Sequence, residues 1–254
     1  MNILDKIVNE KKNHLKYLDQ KLKKTSFKKI KPLFIEAIKK ELLKGNNALI
    51  VEFKRFSPSV RKFKNIKYLQ EVIGQYEESN CCCISILTDK NFGGSLNDLI
   101  IAKKITSKPI IRKDFIINKK QILESKIYGA DAILLIAKIL TKKELNNLAN
   151  YANKIGLDVL VEIENDTEIK KINEIKCKLI GINNRNLRKQ SIDINKSIKL
   201  SKILEEKIVI SESGITNSNI KKIKSKSKIS SFLIGGSILN NKNRINFINK
   251  LYQS

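Results

Sequence analysis

Tryptophan is absent from the 254 residues, proline occurs three times, histidine and methionine once each, and cysteine four times. With His14 as the only histidine, the chain offers neither a histidine-based triad nor a histidine metal cluster, so acid–base work falls to Lys, Glu or Asp. Three cysteines are consecutive, Cys81, Cys82 and Cys83, which is neither zinc-site spacing nor a secreted disulfide framework. They are expected to fill a strand as small apolar residues. The longest purely apolar run, "AILLIA" at Ala132 to Ala137, falls far short of the ~20 residues that span a bilayer. The opening "MNILDKIVNEKKNHLK" lacks the apolar core and small-residue cleavage site of a secretory signal, so a cytoplasmic location is expected.

Basic charge, in contrast, is abundant: 51 Lys and Arg against 25 Asp and Glu, a formal net charge of +26. Such an excess invites a nucleic-acid reading, because cations release counterions from phosphate backbones. The lysines are spread along the whole chain, however, and aromatics do not alternate with them. A solvated surface that attracts small anions is the simpler account, with no nucleic acid and no membrane among the partners.

Eight short apolar runs suit strands buried on both faces: "NALIVEF" (47–53), "CCCISIL" (81–87), "KPIIRKD" (108–114), "DAILLIA" (131–137), "DVLVEI" (158–163), "KLIGINN" (178–184), "KIVISES" (207–213) and "SSFLIGG" (230–236). Each interval leaves room for one helix and two short loops, the layout of βαβ units. In "NKKQILESKIYGA" Asn118 precedes Gln121 by three and Gly129 closes the segment; in "TKKELNNLANYANKIG" Thr141, Glu144 and Gly156 repeat that arrangement. Eight such units predict an α/β fold, a closed (β/α)8 TIM barrel over residues 47–254, in one domain with a helical extension over 1–46. Within the extension "DKIVNEKKNHLKYLDQKLKK" is amphipathic, and "KPLFIEAIKKELLKG" starts at Pro32 and stops at Gly45.

In such a barrel the chemistry sits at the C-terminal ends of the strands. Glu52 and Lys54 close the first run, Lys113 and Asp114 the third, Glu162 the fifth, Asn183 and Arg185 the sixth, Glu212 and Ser213 the seventh. Period-two geometry puts Glu52 and Lys54 on one face about 7 Å apart. A structural ion pair at a strand end explains them as readily as a working pair does. Arg55, pointing the other way, reads as basic background. Lys113 lies between "PIIR" and "DFII", and burial there is expected to lower its pKa and suit it to proton transfer. Glu162 follows "VLV" and requires a lysine or a substrate nearby. "SESGIT" and "LIGGSI" put small residues at the ends of the last two runs, where barrels hold phosphate with backbone N–H groups.

Taken in order, "ALIVEFKRFSPS", "SILTDKNFGGSLNDL", "PIIRKDFIINKKQILESKIYGADAILLIAKIL", "GLDVLVEIEN", "IGINNRNL", "VISESGI" and "FLIGGSIL" resemble the indole-3-glycerol phosphate synthases over about the last four-fifths of the chain. The resemblance implies ring closure of 1-(2-carboxyphenylamino)-1-deoxyribulose 5-phosphate with loss of carbon dioxide and water, in tryptophan biosynthesis. It makes Lys113 the general acid on the substrate carbonyl and Glu162 the acid/base glutamate, working with Glu52 and Lys54. Asn183 and Arg185 match positions that orient the substrate and its carboxylate. Glu212 and Phe92 fall among the substrate-contacting positions; Ser213, Gly214, Gly235 and Gly236 match the phosphate site, and Ser57 lies at the lip of the first strand. Neither a metal nor an organic cofactor is implied, and a monomer is expected. The loop "LTDKNFGGS" is one residue shorter than is usual in the family, and Gly236 stands where many relatives carry a side chain, leaving only backbone for phosphate.

Two alternatives accompany that reading. A phosphoribosylanthranilate isomerase would need a Cys/Asp acid–base pair, and Cys81 to Cys83 lie in the second run rather than at the end of the first. A basic nucleic-acid-binding protein would show tight, salt-sensitive binding to random duplexes.

Overall fold

The computed structural model describes residues 3–15, 32–57, 63, 68–173, 175–204 and 206–254. Residues 16–31, and with them much of the predicted amphipathic extension, lie outside the described residues. Eight parallel strands, β1 (Ala48–Phe53), β2 (Cys83–Leu87), β3 (Ile110–Lys113), β4 (Ala132–Ile136), β5 (Asp158–Ile163), β6 (Leu179–Asn183), β7 (Ile208–Glu212) and β8 (Ser231–Ile234), close into a barrel in chain order. Closure is direct: Ile50 pairs with Cys83 on one side, and Val51 with Ile234 on the other. Each predicted run contains its strand, with one or two residues trimmed from most ends. Of the consecutive cysteines only Cys83 belongs to β2, and all four cysteines are free thiols.

The runs are continuously apolar because both faces of each strand are covered. Leu49, Val51 and Phe53 point outward against the helices, whereas Ala48 and Ile50 point into the barrel with Cys83, Ile111, Leu134, Leu160, Leu179, Ile210 and Leu233. Alternation then dictates what faces the mouth. Glu52 continues the inward row of Ala48 and Ile50, Lys113 that of Ile111, Glu162 that of Leu160, and Glu212 that of Ile210.

Around the barrel run α3 (Leu69–Glu78), α4 (Asn97–Ile105), α5 (Lys119–Ile127), α6 (Lys142–Lys154), α7 (Asp166–Ile172), α8 (Asn195–Ser201), α9 (Asn217–Ser227), α10 (Gly236–Leu239) and α11 (Arg244–Tyr252). Both predicted capping boxes form, Asn118 with Gln121 at α5 and Thr141 with Glu144 at α6, and Gly129 and Gly156 adopt the left-handed conformation just beyond those helices.

The N-terminal segment contributes α1 (Ile3–Leu15) and α2 (Phe34–Leu43), and they serve opposite ends of the barrel. Phe34 and Ile38 of α2 are fully buried against the barrel's inner residues at the N-terminal end, where the Ile35 amide donates to Asp158 at 2.9 Å. From α1, Lys11 reaches the C-terminal end, 2.8 Å from Asp89 after β2 and 2.6 Å from Asp114 after β3.

Candidate active site

The inward rows end in a cavity of about 330 Å³ at the C-terminal mouth. Glu52, Lys54, Ser57, Phe92, Lys113, Glu162, Asn183, Arg185, Glu212, Ser213, Gly214, Gly235 and Gly236 all line it, so every residue singled out by strand-end position or by resemblance comes to one place.

Lys113 is the centre of the polar half. Its ammonium lies 3.1 Å from Glu162 and 2.8 Å from Glu212. Glu162 is therefore the carboxylate partnered across the barrel that its apolar strand requires, and its second oxygen accepts from Asn183 Nδ2 at 3.0 Å. Asn183 in turn accepts from the Arg185 amide at 2.9 Å, fixing the start of that loop. At the end of β1, Lys54 pairs with Glu52.

Burial and charge compete at each of these groups. For Lys113 the sequence-based expectation of a lowered pKa is wrong. Burial does push it down, but Glu212, Glu162 and Glu52 outweigh that and hold it above the ordinary lysine value, so it rests as an ammonium. Glu212 goes the other way. Burial raises it, Lys113 pulls it back only in part, Glu162 and Glu52 add repulsion, and its pKa stands at about 7. Glu212 Oε1 has no hydrogen-bond partner among the described residues. Glu52 is lowered, since Lys54 and Lys113 overcome its burial, and Arg185 is lowered by burial against the pull of Glu52.

Two glycines make room for the carboxylates. A Cβ on Gly181 of β6 would collide with Glu212 Oε1, and one on Gly235 would come within 2.5 Å of Glu52 Oε1. Gly236, where no Cβ would meet anything within 4 Å, is not constrained in that way.

Sequence reasoning missed the apolar half. Leu4 and Ile7 of α1, with Phe115, Leu134, Ile136, Leu187 and Ile192, line the cavity along with the charges, and Phe92 stacks on Phe115 at 6.4 Å. Positions 4, 7 and 11 share one face of α1, so the helix that brings two apolar side chains also brings Lys11. The amphipathic spacing was visible in the sequence; what the face covers was not. Arg55 was also misread as background. It donates to both oxygens of Asp98, at 2.6 and 2.9 Å, and to the Gly93 carbonyl at 2.7 Å, tying the end of β1 to the loop after β2 and to the first turn of α4. In that loop Asp89 caps a single 3-10 turn, Lys90–Phe92, and Gly94 has no space for a Cβ against Leu87 and Thr88.

Comparison with known proteins agrees with this geometry. The family model described as indole-3-glycerol phosphate synthase matches residues 4–251. Among curated relatives bearing that name, the protein of Clostridium acetobutylicum is 43% identical over 227 residues, covering 84% of this chain and 83% of its own. That of Caldanaerobacter subterraneus subsp. tengcongensis is 40% identical over 218 residues, 84% of each chain. That of Polynucleobacter necessarius subsp. necessarius is 35% identical over 247 residues, 92% of each. Among solved structures, 3-hexulose-6-phosphate synthase from Salmonella typhimurium superposes with a TM-score of 0.66 over 81% of this chain and 96% of its own, at 13% identity, a likeness of fold alone. With the family model spanning nearly its whole length and relatives above one-third identity over most of theirs, the chain belongs to the indole-3-glycerol phosphate synthase family.

Proposed function

We propose that the protein is a carboxy-lyase that closes the indole ring of 1-(2-carboxyphenylamino)-1-deoxyribulose 5-phosphate, releasing carbon dioxide and water, and that the residues of the mouth divide the two stages between them. The observation that carries this is a protonated Lys113 fixed between Glu162 and Glu212, facing a second lysine–glutamate pair, Lys54 with Glu52, in one cavity with an apolar wall.

In the first stage the ring carbon bearing the carboxylate attacks the ketone. The carbonyl electrons move to oxygen, and Lys113 supplies the proton. A resting pKa above the usual value keeps that proton in place until a strongly basic alkoxide develops. Loss of carbon dioxide returns the carbon–carboxylate electron pair to the ring and restores aromaticity. In the second stage the new hydroxyl must leave as water while the neighbouring carbon loses a proton. That step needs an acid and a base close together, which Lys54 and Glu52 supply, with Glu162 and Glu212 sharing the proton load around Lys113. The apolar wall from Leu4 to Ile192 suits the aryl ring, Arg185 the carboxylate, and the turns at Ser213–Gly214 and Gly235–Gly236 the phosphate through backbone N–H groups. We read Ser57 and Phe92 as closing the mouth over the bound substrate, acting as a monomer in the cytoplasm.

The test is turnover: purified protein is expected to form indole-3-glycerol phosphate, and Lys113→Ala to lose activity by a factor of about 10³ or more while melting as a folded protein. Normal turnover in that variant would remove Lys113 from its role. The isomerase alternative is not favoured, since the consecutive cysteines sit before and at the start of β2, away from the residues lining the mouth.

A further inference from the structure

Ser213 and Gly214 both have left-handed backbones, with φ of 66° and 73°. For serine that conformation is strained, and it persists only where surrounding contacts impose it. The contacts are specific. Asn184 follows Asn183 and so turns away from the mouth, where it is completely buried. Its amide nitrogen donates to the Ser213 carbonyl at 3.1 Å and to Ser211 Oγ at 3.0 Å, and its oxygen accepts from Ser197 N at 3.2 Å and Ser197 Oγ at 2.8 Å. Both donors and both acceptor positions of the side chain are thereby used. One residue further along the turn, Asn219 of α9 donates to the Gly214 carbonyl at 2.7 Å while accepting from Thr216 N at 2.9 Å. Ser237, from the other glycine turn, donates to the Ile215 carbonyl at 2.8 Å.

In a planar trans peptide the C=O and the following N–H point in opposite directions. Two carbonyls drawn outward by Asn184 and Asn219 therefore turn the Gly214 and Ile215 amides inward, toward the cavity those residues line. Neither amide has a partner among the described residues. From this we infer that Asn184 and Asn219 are positioning residues for phosphate: without touching it, they set the two consecutive N–H groups that receive it. The inference rests on the synthase reading for its substrate, and it deepens that reading by saying what aims the phosphate site.

The experiment measures binding of two separate probes, inorganic phosphate and 2-aminobenzoate, to the full chain and to its Asn184→Ala and Asn219→Ala variants, alongside steady-state kinetics. Each variant is expected to weaken phosphate about tenfold, the scale of a hydrogen bond to a charged group, with 2-aminobenzoate unchanged within threefold. KM should rise in step with the phosphate dissociation constant, and kcat should stay within threefold. A general loosening of the fold would instead weaken both probes together, and that result, or phosphate affinity within threefold of the parent in folded Asn219→Ala, overturns the inference. Asn219 is half-buried at a helix start, so it decides the matter if Asn184→Ala fails to fold. Phosphate binding that responds as expected in a parent protein without turnover would count against the synthase reading and leave the positioning role standing.

Discussion

Replacing Lys11 by methionine tests whether α1 is held over the mouth by one cation. The Lys11 side chain is 14% exposed, and the two carboxylates it serves, Asp89 and Asp114, are 2% and 1% exposed. Asp114 keeps other partners, Arg112 at 2.8 Å and Thr88 at 2.6 Å, so the uncompensated charge falls on Asp89, whose other oxygen accepts from Asn91 N. Breaking a buried pair by removing one partner costs about 3–5 kcal/mol when the remaining charge stays dry. Here water can reach Asp89 once α1 lifts, so the cost is expected at the low end, about 2–3 kcal/mol, and as local undocking of α1 rather than as global unfolding. That corresponds to roughly a 30- to 150-fold loss of protection for α1 amides in hydrogen exchange, with barrel strands unaffected. Lys11→Arg should retain most of the protection. The pH dependence follows from the signs. Lys11 is raised because Asp114 and Asp89 outweigh its burial, so its contribution is complete below the unfolded lysine value near 10.4 and is lost only above the folded one. Asp114 is lowered because Arg112 and Lys11 outweigh its burial, so its contribution is complete above about 4 and is lost as pH falls through the folded value. Protection in α1 should therefore be flat between about pH 5 and 10. Equal protection in Lys11→Met and parent would refute the reasoning.

Glu212, with its pKa at about 7, should put an ionisation near neutrality into the pH profile of kcat/KM, belonging to the whole Lys113 cluster rather than to one carboxylate. The ionisation should vanish in Glu212→Gln, and its persistence in that folded variant would assign it elsewhere. Because this pKa is raised in the folded state, the same group makes the protein progressively less stable as pH climbs from about 4 toward 7, a penalty the glutamine variant should lack in a denaturant series. Gly181→Ala places a methyl group on Glu212 Oε1 and should cost about 1–3 kcal/mol together with most of the activity; a stable, fully active variant would show that Glu212 can move without consequence.

How far the sequence could be read depends on whether a feature is local. Strands enclosed on both faces must be continuously apolar, so the eight runs stood out, and the capping residues Asn118, Gln121, Thr141 and Glu144 specify helix starts within four residues of chain. The mouth was legible for the same reason, since alternation alone carries Glu52, Lys113, Glu162 and Glu212 inward once the strand is known. Failures began where a partner lies far along the chain. The direction of the Lys113 shift is set by Glu212, 99 residues away, so burial seen locally gave the wrong sign. Arg55 looked like background because Asp98 is 43 residues on. The face of α1 could be drawn from its spacing, but its position over β2 and β3 depends on Asp89 and Asp114, which no helical pattern names.

The net charge of +26 raises the question of what the basic surface contributes to a site that takes an anion. Inside the mouth the balance is different: Glu52, Asp89, Asp114, Glu162 and Glu212 stand against Lys54, Lys113 and Arg185. Each lysine there is anchored by a carboxylate, which fixes its position and its proton at the expense of its long-range field. Ser213, Gly214, Gly235 and Gly236, the turns proposed for the phosphate, include no cation, so on that proposal its capture falls to backbone amides next to carbonyls held by the uncharged Asn184 and Asn219. The surface excess can then act only before contact, by raising the local concentration of anions, an effect that fades as salt shortens the Debye length to about 8 Å at physiological ionic strength. The proposed recognition and chemistry rest instead on paired charges and oriented dipoles inside the mouth, which salt screens far less. A lysine-rich exterior is thus compatible with the fold and the site without being part of either, and Lys54 and Lys113, the two lysines proposed to act in turnover, are distinguished from the rest by the glutamates that face them.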